Sequence, residues 1–262
     1  MKRQRKSFYL TCLSPFILFS LDAHAKNPTS TEVTLGVGVQ SAAKYSGSDE
    51  ESVNVLPYLR LQNGGYFLDT EKGIGYEHSW DNGIYVSQLL GYTTGRKESD
   101  SDWELGSDKL KGMGNIKSAL NSTTTLGWQV SSSFWLEGNI IAPLTDSQGM
   151  QYNAGFKYNL MDGSADTIVL SSKANFGDAR YLNTFYGVSS SQSEHSGFRK
   201  YHAGGGLYSV DTDLTWTHFF GENWSSYANV TYSQLTNKAK DSPIAFRDNN
   251  TALTAGVLYT FK

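Results

Sequence analysis

Apolar and polar residues alternate along most of the chain with a period of two, which is the pattern of strands with one apolar face. The last segment shows it most clearly, with Leu253, Ala255, Val257, Tyr259 and Phe261 on one face and mainly Thr and Gly on the other. In a membrane barrel, one face of each strand meets lipid while every backbone amide is paired within the sheet. Residues 251–262 are therefore predicted to form the closing strand of an outer-membrane barrel. The alternative is the last strand of a soluble β-sandwich.

The same alternation recurs in further segments separated by turns rich in Gly, Asn, Asp and Ser. The predicted strands are 32–42, 53–61, 66–69, 74–80, 84–92, 125–130, 136–144, 151–160, 168–176, 208–217, 228–233 and 251–262. The strand from 168 is expected to continue towards Tyr186, and Pro57, which cannot donate to a ladder, predicts a bulge or break. The fold class is thus all-β, a transmembrane antiparallel up-and-down barrel of about twelve strands, with ten as the fallback.

The lengths of the connections alternate in the way that bacterial outer-membrane barrels require. These proteins have short periplasmic turns and longer outer loops. The short turns are predicted at 64–65, 81–83, 131–133, 162–166 and 221–223, and the long segments at 43–52, 94–118, 188–200 and 236–250. Counting back from the closing strand places every short turn in the periplasm. The long segments are polar and are interpreted as outer loops, with local structure expected near 110–113.

The N-terminal 25 residues have the features of a secretory signal peptide. Basic residues precede a short apolar stretch, and Ala23-His24-Ala25 forms a small-x-small cleavage site. The predicted domains are therefore a signal peptide at 1–25 and the barrel at 26–262. The single cysteine, Cys12, lies in the first segment, so disulfides and thiolate chemistry are excluded from the second.

The charge of the chain gives no support for a nucleic-acid partner. Residues 1–25 hold 4 of the 22 Lys and Arg and 1 of the 25 Asp and Glu, so the remainder carries an excess of acidic residues. Nucleic-acid binding needs a basic surface. An acidic balance does not count against a barrel, because barrels insert through their apolar belt.

Charged residues in the predicted strands fall on the face opposite the apolar one. That face is otherwise mostly Thr, Ser, Asn, Gln and Gly, which is typical of a barrel interior. The residues predicted to line the lumen are Arg60, Glu137, Lys157, Lys173, Asp211 and Asp213. If the lumen conducts small solutes, these side chains are expected to set its selectivity.

The sequence predicts no catalytic residue, no cofactor and no metal site. His195 lies in a Ser-rich segment, but no acidic partner that would orient it is evident. Asp211 and Asp213 share a strand face, and we interpret them as solvated lumen charges or partners of Lys157 or Lys173. His218 shares the lipid-facing register with aromatic neighbours and is interpreted as an interfacial residue.

Several motifs resemble the MipA/OmpV family of outer-membrane proteins. They are Tyr45-Ser46-Gly47-Ser48, Leu56-Pro57, Phe185-Tyr186-Gly187-Val188-Ser189 with Ser196-Gly197 and Tyr201, and Asp241-Ser242-Pro243-Ile244. The resemblance implies a closed, non-enzymatic barrel that acts as a scaffold for a murein hydrolase and a murein synthase. It also leaves a porin-like channel or a surface adhesin as alternatives. The short predicted turns offer little docking surface, which counts against the scaffold.

The closing strand also resembles the C-terminal signal that the barrel-assembly machinery recognises. The pattern is Thr254-x-Gly256-x-x-Tyr259-x-Phe261, and Gly256, Tyr259 and Phe261 are the predicted assembly signal. The expected location is the outer membrane of a Gram-negative cell, reached by export and cleavage of the signal peptide. The expected partners are therefore outer-membrane lipid and lipopolysaccharide, the assembly machinery and the murein enzymes.

Overall fold

The structure is a computed structural model that describes residues 31–101, 104–146 and 148–261. Twelve strands form one closed antiparallel barrel in which each strand pairs with its neighbours in sequence and the last pairs with the first. The strands are β1 (Glu32–Ala43), β2 (Glu51–Asn63), β3 (Tyr66–Asp69), β4 (Gly73–Ser79), β5 (Ile84–Thr93), β6 (Ala119–Ser131), β7 (Phe134–Pro143), β8 (Gln151–Asp162), β9 (Asp166–Gly177), β10 (Gly206–Phe219), β11 (Trp224–Leu235) and β12 (Asn249–Phe261). The predicted twelve-stranded barrel is confirmed, and the fallback of ten strands is wrong.

The alternation along each strand separates the outside of the barrel from its inside. In β1, Val37 is 47% exposed on the outer face while Gln40 is 1% exposed on the inner face. Strand β12 closes the barrel against β1 in register from Val33–Phe261 to Ser41–Leu253. The closing strand is therefore where the sequence predicts it. The predicted signal peptide at 1–25 lies outside the described residues.

The connections differ in length at the two ends of the barrel. Five short turns join β2–β3, β4–β5, β6–β7, β8–β9 and β10–β11 at one end, which we call the short-turn end. The β1–β2, β5–β6, β9–β10 and β11–β12 loops lie at the opposite, long-loop end. The β3–β4 and β7–β8 connections also lie at this second end.

The long loops contain helical structure that their polar sequences do not suggest. They hold a 3₁₀ turn (Asp108–Leu110) and three helices, α1 (Ala179–Tyr186), α2 (Ser190–Ser196) and α3 (Asn237–Lys240). Strand β9 does not continue to Tyr186, because the Asp178 side chain accepts a hydrogen bond from Tyr181 N at 2.7 Å and starts α1. No helix in the described part of the chain is long and apolar enough to cross a membrane.

Apolar side chains from these loops pack together above the barrel, and we call this assembly the cap. One cluster centres on Leu182 and Tyr186 of α1 and includes Leu235. The other is formed by Tyr45, Leu110, Met113, Val188 and Ile244, of which Leu110 and Ile244 are 0% and 1% exposed. The local structure expected near 110–113 is confirmed, whereas the interpretation of 188–200 and 236–250 as polar loops misses the helices and buried side chains that they contain.

Two further expectations about the strands are corrected. Pro57 causes no bulge, since it pairs with Val37 in an unbroken register. Leu59 exchanges hydrogen bonds with Thr70 on the β3 side of β2. Pro57 lies two residues before Leu59, so its nitrogen points to the same side of the strand. At the level of Pro57 no strand pairs with β2 on that side in the described structure. Alternation with Val210 predicts Tyr208 on the lipid face, but Tyr208 lies inside the barrel, because the β9–β10 register shifts between Leu207 and Ser209.

Candidate functional site in the barrel lumen

A cavity of about 410 Å³ occupies the lumen below the cap. Five of the six charged residues predicted for the lumen lie on its lining, namely Arg60, Glu137, Lys173, Asp211 and Asp213. Lys157 is not part of that lining; its Nζ lies 5.7 Å from the centre of the Trp135 ring. The predicted charges are thus distributed around the barrel wall and do not meet at one point.

Asp211 is the centre of a polar cluster on β9, β10 and β11. It accepts hydrogen bonds from Asn175 Nδ2 and Ser233 Oγ, each at 2.7 Å, and Lys173 Nζ lies 3.8 Å away. The neighbouring Asp213 accepts a hydrogen bond from Thr231 Oγ1 at 2.5 Å and one from Ser171 at 3.5 Å. The two carboxylates are therefore held by protein donors. The described residues contain no group of three or more His, Cys, Asp or Glu side chains placed to hold a metal.

Arg60 fixes the shortest hairpin of the barrel. Its guanidinium donates to Gln62 Oε1 at 2.8 Å, lies 3.5 Å from Asp69 Oδ2, and is 5.8 Å from the Phe67 ring centre. Asp69 in turn accepts backbone hydrogen bonds in the β3–β4 turn, from Glu71 N at 2.7 Å and Lys72 N at 3.0 Å. Arg60 thus stabilises a turn halfway along β2 as well as lining the cavity.

On the opposite wall, Glu137 is bound by Tyr85, whose ring lies over Gly127. Tyr85 donates a short hydrogen bond from its hydroxyl to Glu137 Oε1. A Cβ placed on Gly127 would lie within 2.4 Å of the Tyr85 ring, so only glycine leaves room for the ring at this point. On this wall the carboxylate is therefore paired, and a side chain of the lumen face packs over a small residue.

The upper wall of the cavity contains a buried cation that the sequence analysis missed. Arg96, in the β5–β6 loop, is 5% exposed and lines the cavity; its Nη1 donates to Phe185 O at 2.6 Å. Its Nε has no hydrogen-bond partner, and none of the ion pairs between described residues involves it. Burial lowers the pKa of Arg96 to about 10. One arginine in a strongly charged loop gives no sequence signal that separates it from its exposed neighbours.

Neither His195 nor His218 lines this cavity. His195 Nδ1 is 2.7 Å from Ser191 O, one turn earlier in α2. His218 lies on the outer face of β10 near the short-turn end, where its Nδ1 is 2.8 Å from Asp166 Oδ1 and its ring is 4.5 Å from that of Phe220. His218 therefore occupies the interfacial position that its register predicts.

The three residues of the predicted assembly signal lie on β12. Gly256 pairs with Gly38 of β1 and with Tyr227 of β11. Tyr259 and Phe261 form an aromatic group on the outer face, with ring centres 4.6 Å apart. Their role in assembly stays a prediction.

The chain is similar to known proteins in sequence and in structure. The chain is 22% identical over 247 residues to proteins named MltA-interacting protein from Escherichia coli K12 and from Shigella flexneri, covering 91% of this chain and 92% of each relative. Among solved structures, it is similar to the KdgM porin (10% identity, TM-score 0.36, 87% of this chain and 99% of the porin) and to the translocator domain of the autotransporter NalP from Neisseria meningitidis (12% identity, TM-score 0.43, 90% of both chains). The profile of the family described as MltA-interacting protein MipA matches residues 35–261, and the chain therefore belongs to that family.

Proposed function

We propose that this protein is a non-enzymatic outer-membrane barrel that does not conduct solutes and that binds a murein hydrolase at its short-turn end. The observation that carries the first part is the cap. Four loops close the long-loop end through two apolar clusters and through hydrogen bonds such as Ser242 Oγ to Tyr186 O at 2.6 Å. A lumen closed in this way suits an anchor better than a pore.

The charge of the short-turn end supports a protein partner there. The five turns contain no Lys or Arg, and exposed acidic side chains occur in or beside three of them, at Asp81, Asp162 and Glu222. The short turns of bacterial outer-membrane barrels face the periplasm, so the acidic rim that these five turns form is exposed to periplasmic proteins. An acidic rim favours a partner with a basic surface, and the curated relatives are named for an interaction with MltA.

The location proposed for the protein follows from the same arrangement. Residues 1–25 are removed as a signal peptide, the assembly machinery inserts the barrel through Gly256, Tyr259 and Phe261, and the apolar belt contacts outer-membrane lipid and lipopolysaccharide. Exposed side chains such as Leu126 (60%) and Trp128 (47%) supply that belt. Detection of the mature protein in the outer-membrane fraction, with its N-terminus at residue 26, tests this part.

The experiment for the scaffold measures binding to MltA directly. Full-length protein in nanodiscs is immobilised, and soluble MltA is passed over it at several salt concentrations. We expect saturable binding that weakens with salt, because screening reduces attraction to the acidic rim. The variant D81N/E222Q should weaken binding, whereas D146N, at the long-loop end, should not. Equal binding by all three proteins would contradict the acidic rim as the docking surface.

A small-solute channel is the second candidate, favoured by the polar lining of the lumen cavity. Planar-bilayer recordings of the refolded protein separate the two functions. Discrete conductance steps that change in R60Q or D211N would establish the channel and overturn the non-conducting anchor. The third candidate, adhesion, requires the outer loops 94–118 and 236–250, and it fails if deleting them leaves host-cell binding unchanged.

A further inference from the structure

The wall of the barrel is incomplete on one side, near the long-loop end. Strand β3 has four residues, and its hairpin with β4 turns at residues 70–72, level with Leu59 of β2. On that side β2 pairs only from Arg60 to Asn63, so residues 51–58 have no neighbouring strand in the described structure. We call the space between residues 51–58 of β2 and residues 92–95 at the end of β5 the wall gap.

The β2 edge of the wall gap is apolar on its outer face and poorly suited to another strand. Val53 and Val55 are 71% and 63% exposed, since the missing strand leaves their sides uncovered. Pro57 presents no N–H at this edge, which weakens pairing with a further strand. The edge therefore favours a flexible apolar chain over the strand of a second protein.

The lumen cavity extends to the wall gap. Its lining includes Glu71 and Lys72 from the turn below the gap and Tyr92 beside it. Tyr92 lies on the outer face of β5, as does Leu90, which is 59% exposed. Tyr92 nevertheless lines the cavity together with residues of the inner face. The apolar clusters of the cap lie at the long-loop end, and the wall gap gives an apolar molecule in the membrane a lateral route to the cavity.

Arg96 gives this cavity its chemical preference. A buried guanidinium whose Nε has no hydrogen-bond partner, and which forms no ion pair with the described residues, is costly, and an anion that binds it removes the cost. Its neighbours are apolar or aromatic: its Cζ lies 5.7 Å from the Tyr45 ring centre, and Phe185 and Leu105 also line the cavity. A volume of about 410 Å³ is within the usual range of small-molecule sites.

We propose that this cavity binds a fatty acid or a similar single-chain carboxylate, with the carboxylate on Arg96 and the chain extending through the wall gap into the membrane. The planar guanidinium suits a carboxylate because two N–H groups donate in parallel. This inference is independent of murein-hydrolase binding, since Arg96 and the wall gap lie at the long-loop end of the barrel, opposite the acidic rim.

The experiment measures binding of radiolabelled palmitate to the full-length protein in nanodiscs. Saturable binding above that of empty nanodiscs is expected, and unlabelled palmitate should compete while hexadecanol and acetate should not. Competition by hexadecanol would show that Arg96 has no part in recognition, and competition by acetate would show a simple anion site; either result overturns the proposal.

Variants test the position of the carboxylate. R96M keeps an unbranched apolar side chain as far as the position of Nε and removes the charged guanidinium. It should weaken palmitate binding at least about tenfold, the usual effect of losing a charge-assisted hydrogen bond. R199M, which changes an outer-loop arginine that donates to Asp241 O, is the matched control and should bind as the native protein does. Unchanged binding in R96M, or a greater loss in K72M, would contradict the assignment to Arg96.

A measurement on the native protein keeps the test valid if R96M does not assemble. Palmitate carrying ¹³C at its carboxyl group should titrate at a lower pH when bound to the protein than in empty nanodiscs, because Arg96 favours the carboxylate. Palmitate with a photoreactive group in its tail should crosslink to residues 51–58 or 92–95. An unshifted titration, or crosslinks confined to other parts of the barrel, would overturn the proposal.

Discussion

The ring of Tyr227 lies across Gly256 on the lumen face of the sheet. A Cβ added to Gly256 would be 2.7 Å from Tyr227 Cε1, and one added to Gly38, the partner of Gly256 in β1, would be 2.5 Å from the Tyr227 hydroxyl. Both glycines thus make room for a ring that is 5% exposed. Gly256, which the sequence assigns to the assembly signal, therefore also has a packing role in the closed barrel.

Replacing Gly256 by alanine should destabilise the barrel by about 1–3 kcal/mol, because the ring has to leave its position. Denaturant unfolding in detergent, followed by the loss of heat-modifiable migration, measures the change. In the Y227A background, G256A should cost less than it does in the native protein, because only the contact of the new Cβ with Val37 O at 2.7 Å remains. G138A is the control, since the nearest atom to its new Cβ is 3.8 Å away. An equal cost of G256A in both backgrounds would show that the Tyr227 ring does not create the requirement for glycine.

The cap should open when its apolar centre is given a charge. Ile244 is 1% exposed and packs with Leu110 and Tyr45, whose hydroxyl donates to Ile244 O at 3.1 Å. I244D buries an unpaired carboxylate, and separating the loops is the least costly way to hydrate it. Single-channel recordings should then show conductance steps that the native protein lacks, while heat-modifiable migration is retained. F246D, at a position that is 39% exposed, is the matched control. A closed I244D barrel would show that the cap does not depend on this cluster.

The strands were predictable because one physical requirement repeats along them. Lipid outside and polar groups inside impose a period of two, and even the short strands around 66–69 and 74–80 follow it. The register of Tyr208 was not predictable, since the shift between Leu207 and Ser209 comes from pairing with β9. A bulge inserts one residue and exchanges the two faces of the strand beyond it. The residues around Tyr208 still alternate between apolar and polar, so the sequence does not show this exchange.

The cap illustrates the limit of reading polar segments as loops. Ser189 and Gln192 form a capping box, and Gly197 ends α2 in the left-handed conformation, so a local signal for this helix was present. Nothing local indicates that Ile244 and Leu110 meet across more than a hundred residues. The wall gap was implied by the short strands, but the burial of Arg96 beside it depends on the folding of three loops together.

Asp211 should contribute to stability through its donors. D211N keeps the size of the side chain but leaves Lys173, whose side chain is 16% exposed, without its nearby carboxylate. The loss of charge-assisted hydrogen bonds should cost about 1–3 kcal/mol in denaturant unfolding. K173M/D211N should be less destabilised than D211N alone, because the unpaired ammonium is removed. Equal stability of D211N and the native protein would show that the cluster is solvated and contributes nothing to the fold.

The contact between the β1–β2 and β5–β6 loops should depend on pH at both extremes. Lys44 Nζ donates to Asp100 Oδ1 at 2.6 Å, and this bond holds the pKa of Asp100 below its ordinary 3.8 and the pKa of Lys44 above its ordinary 10.5. Because the pKa of Asp100 is lowered in the folded protein, Asp100 stabilises the contact fully above pH 3.8, and this stabilisation is lost as the pH falls through the folded-state pKa of Asp100. Because the pKa of Lys44 is raised, Lys44 stabilises the contact fully below pH 10.5, and this stabilisation is lost as the pH rises through the folded-state pKa of Lys44.

Spin labels on the two loops measure this contact directly. With Cys12 assigned to the signal peptide, labels at E51C and K111C report one distance between the loops. The distance distribution should be narrow and constant between about pH 5 and pH 9, and should broaden as the pH falls below 3.8, where the Lys109–Asp49 pair weakens as well. D100N should show a broader distribution at neutral pH and a smaller response to acid. High salt should broaden the neutral distribution, because both pairs are exposed and screened. A distribution that stays narrow at pH 3 would show that the apolar clusters of the cap hold these loops without their ion pairs.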